Sequence, residues 1–118
     1  LNVYADIKST LRLPFVNTDY RAFARWPSYF SIAWKDLARS LQTPEHEEAC
    51  QLCHDRVAEL AAIGLPNPGG LTSKALHSAA QADGNLDDII QMCRLFQWLL
   101  PGLITNVAFL RHQLEIDR

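Results

Sequence analysis

Pro14-Phe15-Val16-Asn17-Thr18-Asp19-Tyr20-Arg21-Ala22-Phe23-Ala24-Arg25-Trp26-Pro27-Ser28-Tyr29-Phe30 is the stretch on which the reading of this chain turns. Pro14 closes the segment before it, because the residue preceding a proline avoids the helical region. Asn17, Thr18 and Asp19 are all good N-cap residue types, so a helix is expected to start near Tyr20. Pro27 breaks that helix. Proline fits the first turn of a new one, so Ser28 to Ser40 is expected to continue at an angle. Asp19 thus stands at a loop-to-helix junction, with Phe15, Tyr20, Phe23 and Trp26 around it. Free helix N–H groups favour the ionised acid there, and apolar neighbours are expected to keep bulk water away. That setting suits a general base that activates a water. The plain alternative is a structural cap. Asn17 and Thr18 serve that role equally well, so capping alone does not require Asp19. The aromatic residues are mostly expected to be core.

Outward from this stretch the pattern stays helical. Val3, Ile7 and Leu11 recur at helical spacing, with Asp6 and Lys8 on the other side. Tyr29, Ile32, Ala33 and Leu37 are expected to form the buried stripe of the Ser28–Ser40 helix. Thr43-Pro44-Glu45-His46-Glu47 is a start signal of cap, proline and first-turn acids. That helix is expected to run to Ile63 and stop at Gly64, with Pro66 beyond. Asn67-Pro68-Gly69-Gly70 reads as a tight loop, and Thr72 or Ser73 as the cap of a short helix ending before Gly84. Asn85 caps a helix with Asp87 and Asp88 in its first turn. Pro101-Gly102 is expected to interrupt it, and a last helix to end near Glu115. No strand pattern, internal repeat or low-complexity tract is visible. The fold class expected is all-α, with about six or seven helices.

At 118 residues, 48% of them hydrophobic, the chain suffices for one globular domain with a modest core. A net charge of −2 gives no reason to expect nucleic acid or an anionic membrane surface as partner. No apolar run is read as reaching transmembrane length, and the N-terminus lacks a signal-peptide pattern. The three cysteines do not suggest a disulfide framework, so a reducing, cytoplasmic location is expected.

Cys50-Gln51-Leu52-Cys53-His54 fits the pattern for covalent c-type haem attachment, with His54 as one axial ligand and Met92 as the other. An electron-transfer cytochrome is therefore the alternative function. The motif, however, falls inside the helical pattern Ala49, Leu52, Cys53, Val57 and Leu60, where Cys53 reads as a small buried hydrophobe. A zinc site would need a second half from Cys93, His46, His77 or His112, which have no paired spacing. Phosphate-loop, nucleophile-elbow and H-E-x-x-H motifs are absent. Arg21 and Arg25, one turn apart, are either an attraction for an anionic substrate or, more ordinarily, solvent-facing charges. A non-catalytic helical interaction domain is the other rival.

Val3-Tyr4-Ala5-Asp6-Ile7-Lys8-Ser9-Thr10-Leu11-Arg12 leads through Pro14 and Val16 into Asn17-Thr18-Asp19-Tyr20-Arg21-Ala22. Trp26-Pro27-Ser28-Tyr29-Phe30 and Ala33-Trp34-Lys35-Asp36-Leu37 follow. This run resembles the second half of the 2-haloacid dehalogenases that accept both D- and L-substrates, a family unrelated to the α/β haloacid dehalogenase superfamily. Leu100-Pro101-Gly102-Leu103 and Asn106-Val107-Ala108 fit it as well. The resemblance implies an all-α protein of two similar repeats with the active site between them. Residues 1–118 would be one repeat, the C-terminal half, and would hold half the pocket. It implies that Asp19 is the essential base, with Thr18 and Asn17 lining the substrate pocket, and that an asparagine of the other repeat helps hold the attacking water. It implies hydrolysis of short-chain 2-haloalkanoic acids with inversion, by direct water attack, without metal or organic cofactor. The partners expected are the haloalkanoate and water, the first repeat of the same polypeptide, and further copies in a homo-oligomer. Neither nucleic acid nor membrane is expected.

Overall fold

A computed structural model describes residues 3–116. Six α-helices follow one another: α1 Val3–Leu11, α2 Thr18–Phe23, α3 Pro27–Ser40, α4 Pro44–Glu59, α5 Ser73–Asp83 and α6 Leu86–Glu115. A π-helical turn, Leu60–Gly64, extends α4, and no strand occurs among the described residues. The expected all-α class and helix number hold. The chain forms two compact units, Leu1–His46 with Phe109–Arg118, and Glu47–Ala108.

Most helix ends obey the local signals. Arg12 closes α1 at a φ of 57°, and the Leu13 N–H bonds back to the Lys8 carbonyl at 3.0 Å. This six-to-one bond across a left-handed residue satisfies a carbonyl left over at the helix end. Thr43 Oγ1 accepts the His46 N–H at 3.2 Å at the start of α4. Thr72 Oγ1 accepts the Ala75 N–H at 3.2 Å at the start of α5, and Asn85 Oδ1 accepts the Asp87 N–H at 2.8 Å at the start of α6. Gly84 ends α5 at a φ of 155°, a conformation side chains rarely adopt. Thr72→Ala is expected to lower stability by about 1 kcal/mol, read from urea or thermal unfolding.

Three expectations are corrected. Pro101-Gly102 does not interrupt the last helix: α6 runs 30 residues with Pro101 inside it. Proline has no N–H for the carbonyl of Gln97, but it forfeits only that one rung. The Thr105 hydroxyl donates to the Pro101 carbonyl at 2.8 Å, and Pro101 and Leu103 are buried. As a result α6 is long and apolar enough to cross a membrane by length and composition, contrary to the reading that no apolar run reaches that length. The core helix of a soluble protein meets the same test. On α3 Ala33 and Leu37 are buried as expected, but Phe30 and Trp34 complete the stripe in place of Tyr29 and Ile32. Ile32 points outward at 74% exposure and Tyr29 is half-buried, because the large aromatics rather than Ile32 take the inner face.

The first unit holds the better core. Ile7 of α1, Val16, Tyr20 of α2 and the α3 stripe are buried, as is Leu110 from the end of α6. Tyr20 meets Trp34 edge to face at 5.9 Å, Phe30 lies 6.5 Å from Trp34, and Phe23 stacks on Phe30 at 6.2 Å. In the second unit α4 buries no residue at all. Leu52, Val57 and Leu60 are exposed, so the apolar pattern read along this helix is not buried within this chain; Met92, Phe96 and Trp98 of α6 are exposed as well.

Candidate active site

Asn17, Thr18 and Asp19 sit side by side where the chain enters α2. Asn17 is the N-cap residue, at φ −57° and ψ 146°. Its backbone carbonyl accepts the N–H groups of Tyr20 at 3.1 Å and Arg21 at 3.3 Å, while its side chain makes no capping bond. The helix thus begins at Thr18, two residues before the expected start, and capping by the Asn17 side chain is not used. Asp19 falls in the first turn, where a negative charge is favoured by the free N–H groups.

The trio is raised to the surface by its flanks. Val16 before it and Tyr20 after it are both buried, and Phe15 is half-buried. Between these anchors Asn17 is half-buried, and Thr18 and Asp19 are exposed. The shielding expected around Asp19 is therefore not supplied by this chain. Tyr20 and Phe23 are turned into the aromatic cluster, and Trp26 is itself 60% exposed, with Arg25 over its ring at 5.8 Å. Arg21 and Arg25 both face solvent.

Two side-chain features escaped the sequence. Asp6, assigned to the polar side of α1, is half-buried and accepts the Trp34 indole N–H at 2.6 Å. The signal was an acid one position before the fully buried Ile7, too slight to select a partner 28 residues away. A groove of about 410 Å³ lies between α3 and the end of α6, lined by Tyr29, Ile32, Ala33, Asp36, Leu110, Gln113 and Leu114. Burial pushes the Tyr29 phenol above its ordinary value, and its buried hydroxyl has no hydrogen-bond partner among the described residues. Gln113 donates to Asp36 along the same wall. None of the trio lines this groove.

The cysteine-histidine motif lies on α4. His54 stacks face to face on Trp98 at 3.7 Å, and its Nδ1 is 3.0 Å from Asp55. One ring face and one ring nitrogen are thereby engaged by protein groups. That bond, followed by one from Gln51, holds the Asp55 carboxyl below its usual range. Cys50 and Cys53 are half-buried and Cys93 is exposed, all three outside any disulfide among the described residues. Burial raises the Cys50 thiol; a hydrogen bond with Thr105 opposes this and Cys53 adds to it. Because the thiolate is the nucleophile, iodoacetamide at neutral pH is expected to label Cys93 faster than Cys50, by about tenfold or more, as read by peptide mass. Among the described residues no three His, Cys, Asp or Glu side chains converge.

Fold and site together define an all-α chain that presents an amide, a hydroxyl and a carboxylate from one helix entrance. It is 41% identical over 112 residues to the (R)-2-haloacid dehalogenase of Pseudomonas putida, a match that covers 94% of this chain and 36% of the relative. It is 48% identical over 69 residues to the (R)-2-haloacid dehalogenase of Rhizobium sp. (strain NHG3), covering 58% of this chain and 26% of that protein. The configuration-inverting 2-haloacid dehalogenase of Alcaligenes xylosoxydans xylosoxydans is 28% identical over 116 residues, covering 98% of this chain and 37% of that protein. No family model and no solved structure matches. By sequence the chain is similar to 2-haloacid dehalogenases over nearly its whole length, and the resemblance carried by the Val3–Leu37 run is supported. It spans about a third of the length of the relatives it matches.

Proposed function

We propose that this chain is one of two similar repeats of a hydrolytic 2-haloacid dehalogenase, and that Asp19 is its general base. The observation that carries the reading is the 41% identity to an (R)-2-haloacid dehalogenase across 94% of the chain. The chemistry follows from the residues. The ionised Asp19 accepts a proton from a water. The water oxygen bonds to the α-carbon of a short-chain 2-haloalkanoate as the carbon–halogen bond breaks on the opposite side. Halide leaves with the electron pair, and a 2-hydroxyalkanoate of inverted configuration remains. No ester forms on Asp19. Thr18 and Asn17 line the substrate side of the pocket. A water is smaller than a side-chain carboxylate, so its attack suits both enantiomers wherever the pocket exchanges the small groups on the α-carbon.

Two features support a second repeat as the other wall. Asp19 and Thr18 are exposed here, whereas a base that activates water works best with bulk solvent excluded. Large apolar residues, among them Val57 of α4, Leu60 of the π-helical turn, and Met92 and Trp98 of α6, are exposed as well, as is common where further chain packs on a surface.

The test is halide release by the polypeptide that carries this chain, with D- and L-2-chloropropionate, followed by one turnover in oxygen-18 water. Release from both enantiomers, inverted product and label in all of the first-turnover hydroxyl are expected. Unlabelled first product, with label appearing later in Asp19, makes Asp19 the nucleophile and overturns water attack. Release from the (R) enantiomer alone overturns the dual specificity. No release from a folded polypeptide overturns the function.

A further inference from the structure

Asp19 stands on a helix that is too short to hold itself in place. α2 has six residues, and isolated helices of that length are not stable in water. Its position is set by the side chains it buries. The residue next to Asp19 is Tyr20, 1% exposed, and its ring meets Trp34 edge to face at 5.9 Å. Trp34 is also 1% exposed, and its indole N–H donates to Asp6 Oδ2 at 2.6 Å. A ring this deeply buried is held by packing against sliding, and the hydrogen bond fixes its rotation about the ring plane. A donor on a charged acceptor makes a shorter and stronger bond than a neutral pair.

We propose, on the reading of Asp19 as the base, that Asp6 and Trp34 are positioning residues for it. The chain of contact runs Asp6 to Trp34 to Tyr20, and Tyr20 carries Asp19 as its neighbour on the first turn of α2. The bond from α1 to α3 sets the orientation of the indole, the indole sets the seat of Tyr20, and that seat sets where the carboxylate stands. Asp6 and Trp34 act through Asp19, not on substrate. Turnover is sensitive to such devices, because a base displaced by about 1 Å loses on the order of a hundredfold in rate.

The experiment compares Trp34→Phe, Asp6→Ala and Asp6→Asn in the polypeptide that carries this chain, by kcat and KM for halide release and by Tm. Trp34→Phe keeps an aromatic ring and removes the donor; Asp6→Ala removes the acceptor. Each is expected to lower kcat about tenfold with KM within about twofold. Asp6→Asn keeps an amide oxygen to accept the indole N–H, and its kcat is expected to stay within about threefold of the parent. Unchanged kcat in Asp6→Ala, or an Asp6→Asn variant as impaired as Asp6→Ala, overturns the proposal. If Trp34→Phe fails to fold, the two Asp6 variants decide alone. A polypeptide that releases no halide removes the functional reading but not this one. The backbone amide resonance of Asp19 then reports: it is expected to shift in Asp6→Ala and hold in Asp6→Asn, and a resonance unmoved in both overturns the positioning.

Discussion

Asp19→Asn is expected to lower kcat for halide release by about 10²- to 10⁴-fold, the range that a positioned general base contributes. The change replaces one oxygen by an amide nitrogen of nearly the same size, so the pocket keeps its shape and KM is expected to change little. The fold is expected to survive. Asp19 is exposed, and the α2 N-terminus is seated by the buried Val16 and Tyr20 rather than by the acid. Losing the charge beside the free N–H groups costs only about 0.3–1 kcal/mol. Asp19→Glu is the informative companion. It keeps the carboxylate and moves it by one methylene, so an intermediate fall of about 10- to 100-fold is expected. If Asp19→Asn turned over at the parent rate with unchanged stability, the base would have to lie elsewhere, and the acid would be a helix-terminal charge and nothing more.

Helix starts were the most legible part of the fold, because their causes are local. Thr43, Thr72 and Asn85 each accept the N–H that their position in the sequence implied. Pro101 was misread because a proline removes one rung of the ladder, and a 30-residue helix with Pro101 and Leu103 buried survives that loss. On α3, Ala33 and Leu37 are legible as buried, but Tyr29 and Ile32 stand where Phe30 and Trp34 go inward, because two adjacent faces of that helix are apolar. Which face goes inward depends on Tyr20 and Phe23, which lie in another helix. Asp6 could be read only as polar, since its partner is 28 residues away. At the site, the residue types Asn17, Thr18 and Asp19 and their place at a helix entrance were readable from the stretch itself. Their exposure was not. Shielding depends on what packs over a surface, and the relatives carry nearly two thirds of their length outside the region they share with this chain.

Trp34→Ala is the substitution expected to cost most in stability, about 3–5 kcal/mol, the range for removing a fully buried large aromatic side chain. Three losses coincide. The indole is 1% exposed and the largest side chain buried to that degree, so alanine leaves a cavity that a packed core closes only in part. The ring contacts to Tyr20 at 5.9 Å and Phe30 at 6.5 Å go with it, and such aromatic pairs are worth about 0.5–1.5 kcal/mol beyond area. Asp6, half-buried, then loses the donor that it holds at 2.6 Å. Urea unfolding measures the change as a fall in midpoint at unchanged slope. Trp98→Ala is the control in the same polypeptide. Within this chain Trp98 is 50% exposed and stacks on His54, so a loss as large as that of Trp34→Ala is expected only where further chain covers it. A cost under about 1 kcal/mol for Trp34→Ala would mean that the α1–α3 contact is not the core of its unit. The seat of Tyr20, and with it the placement of Asp19, would then have to come from another source. On the proposed positioning, stability and turnover are tied to one indole through different atoms: its area holds the unit together, and its N–H sets the angle at which the carboxylate is offered.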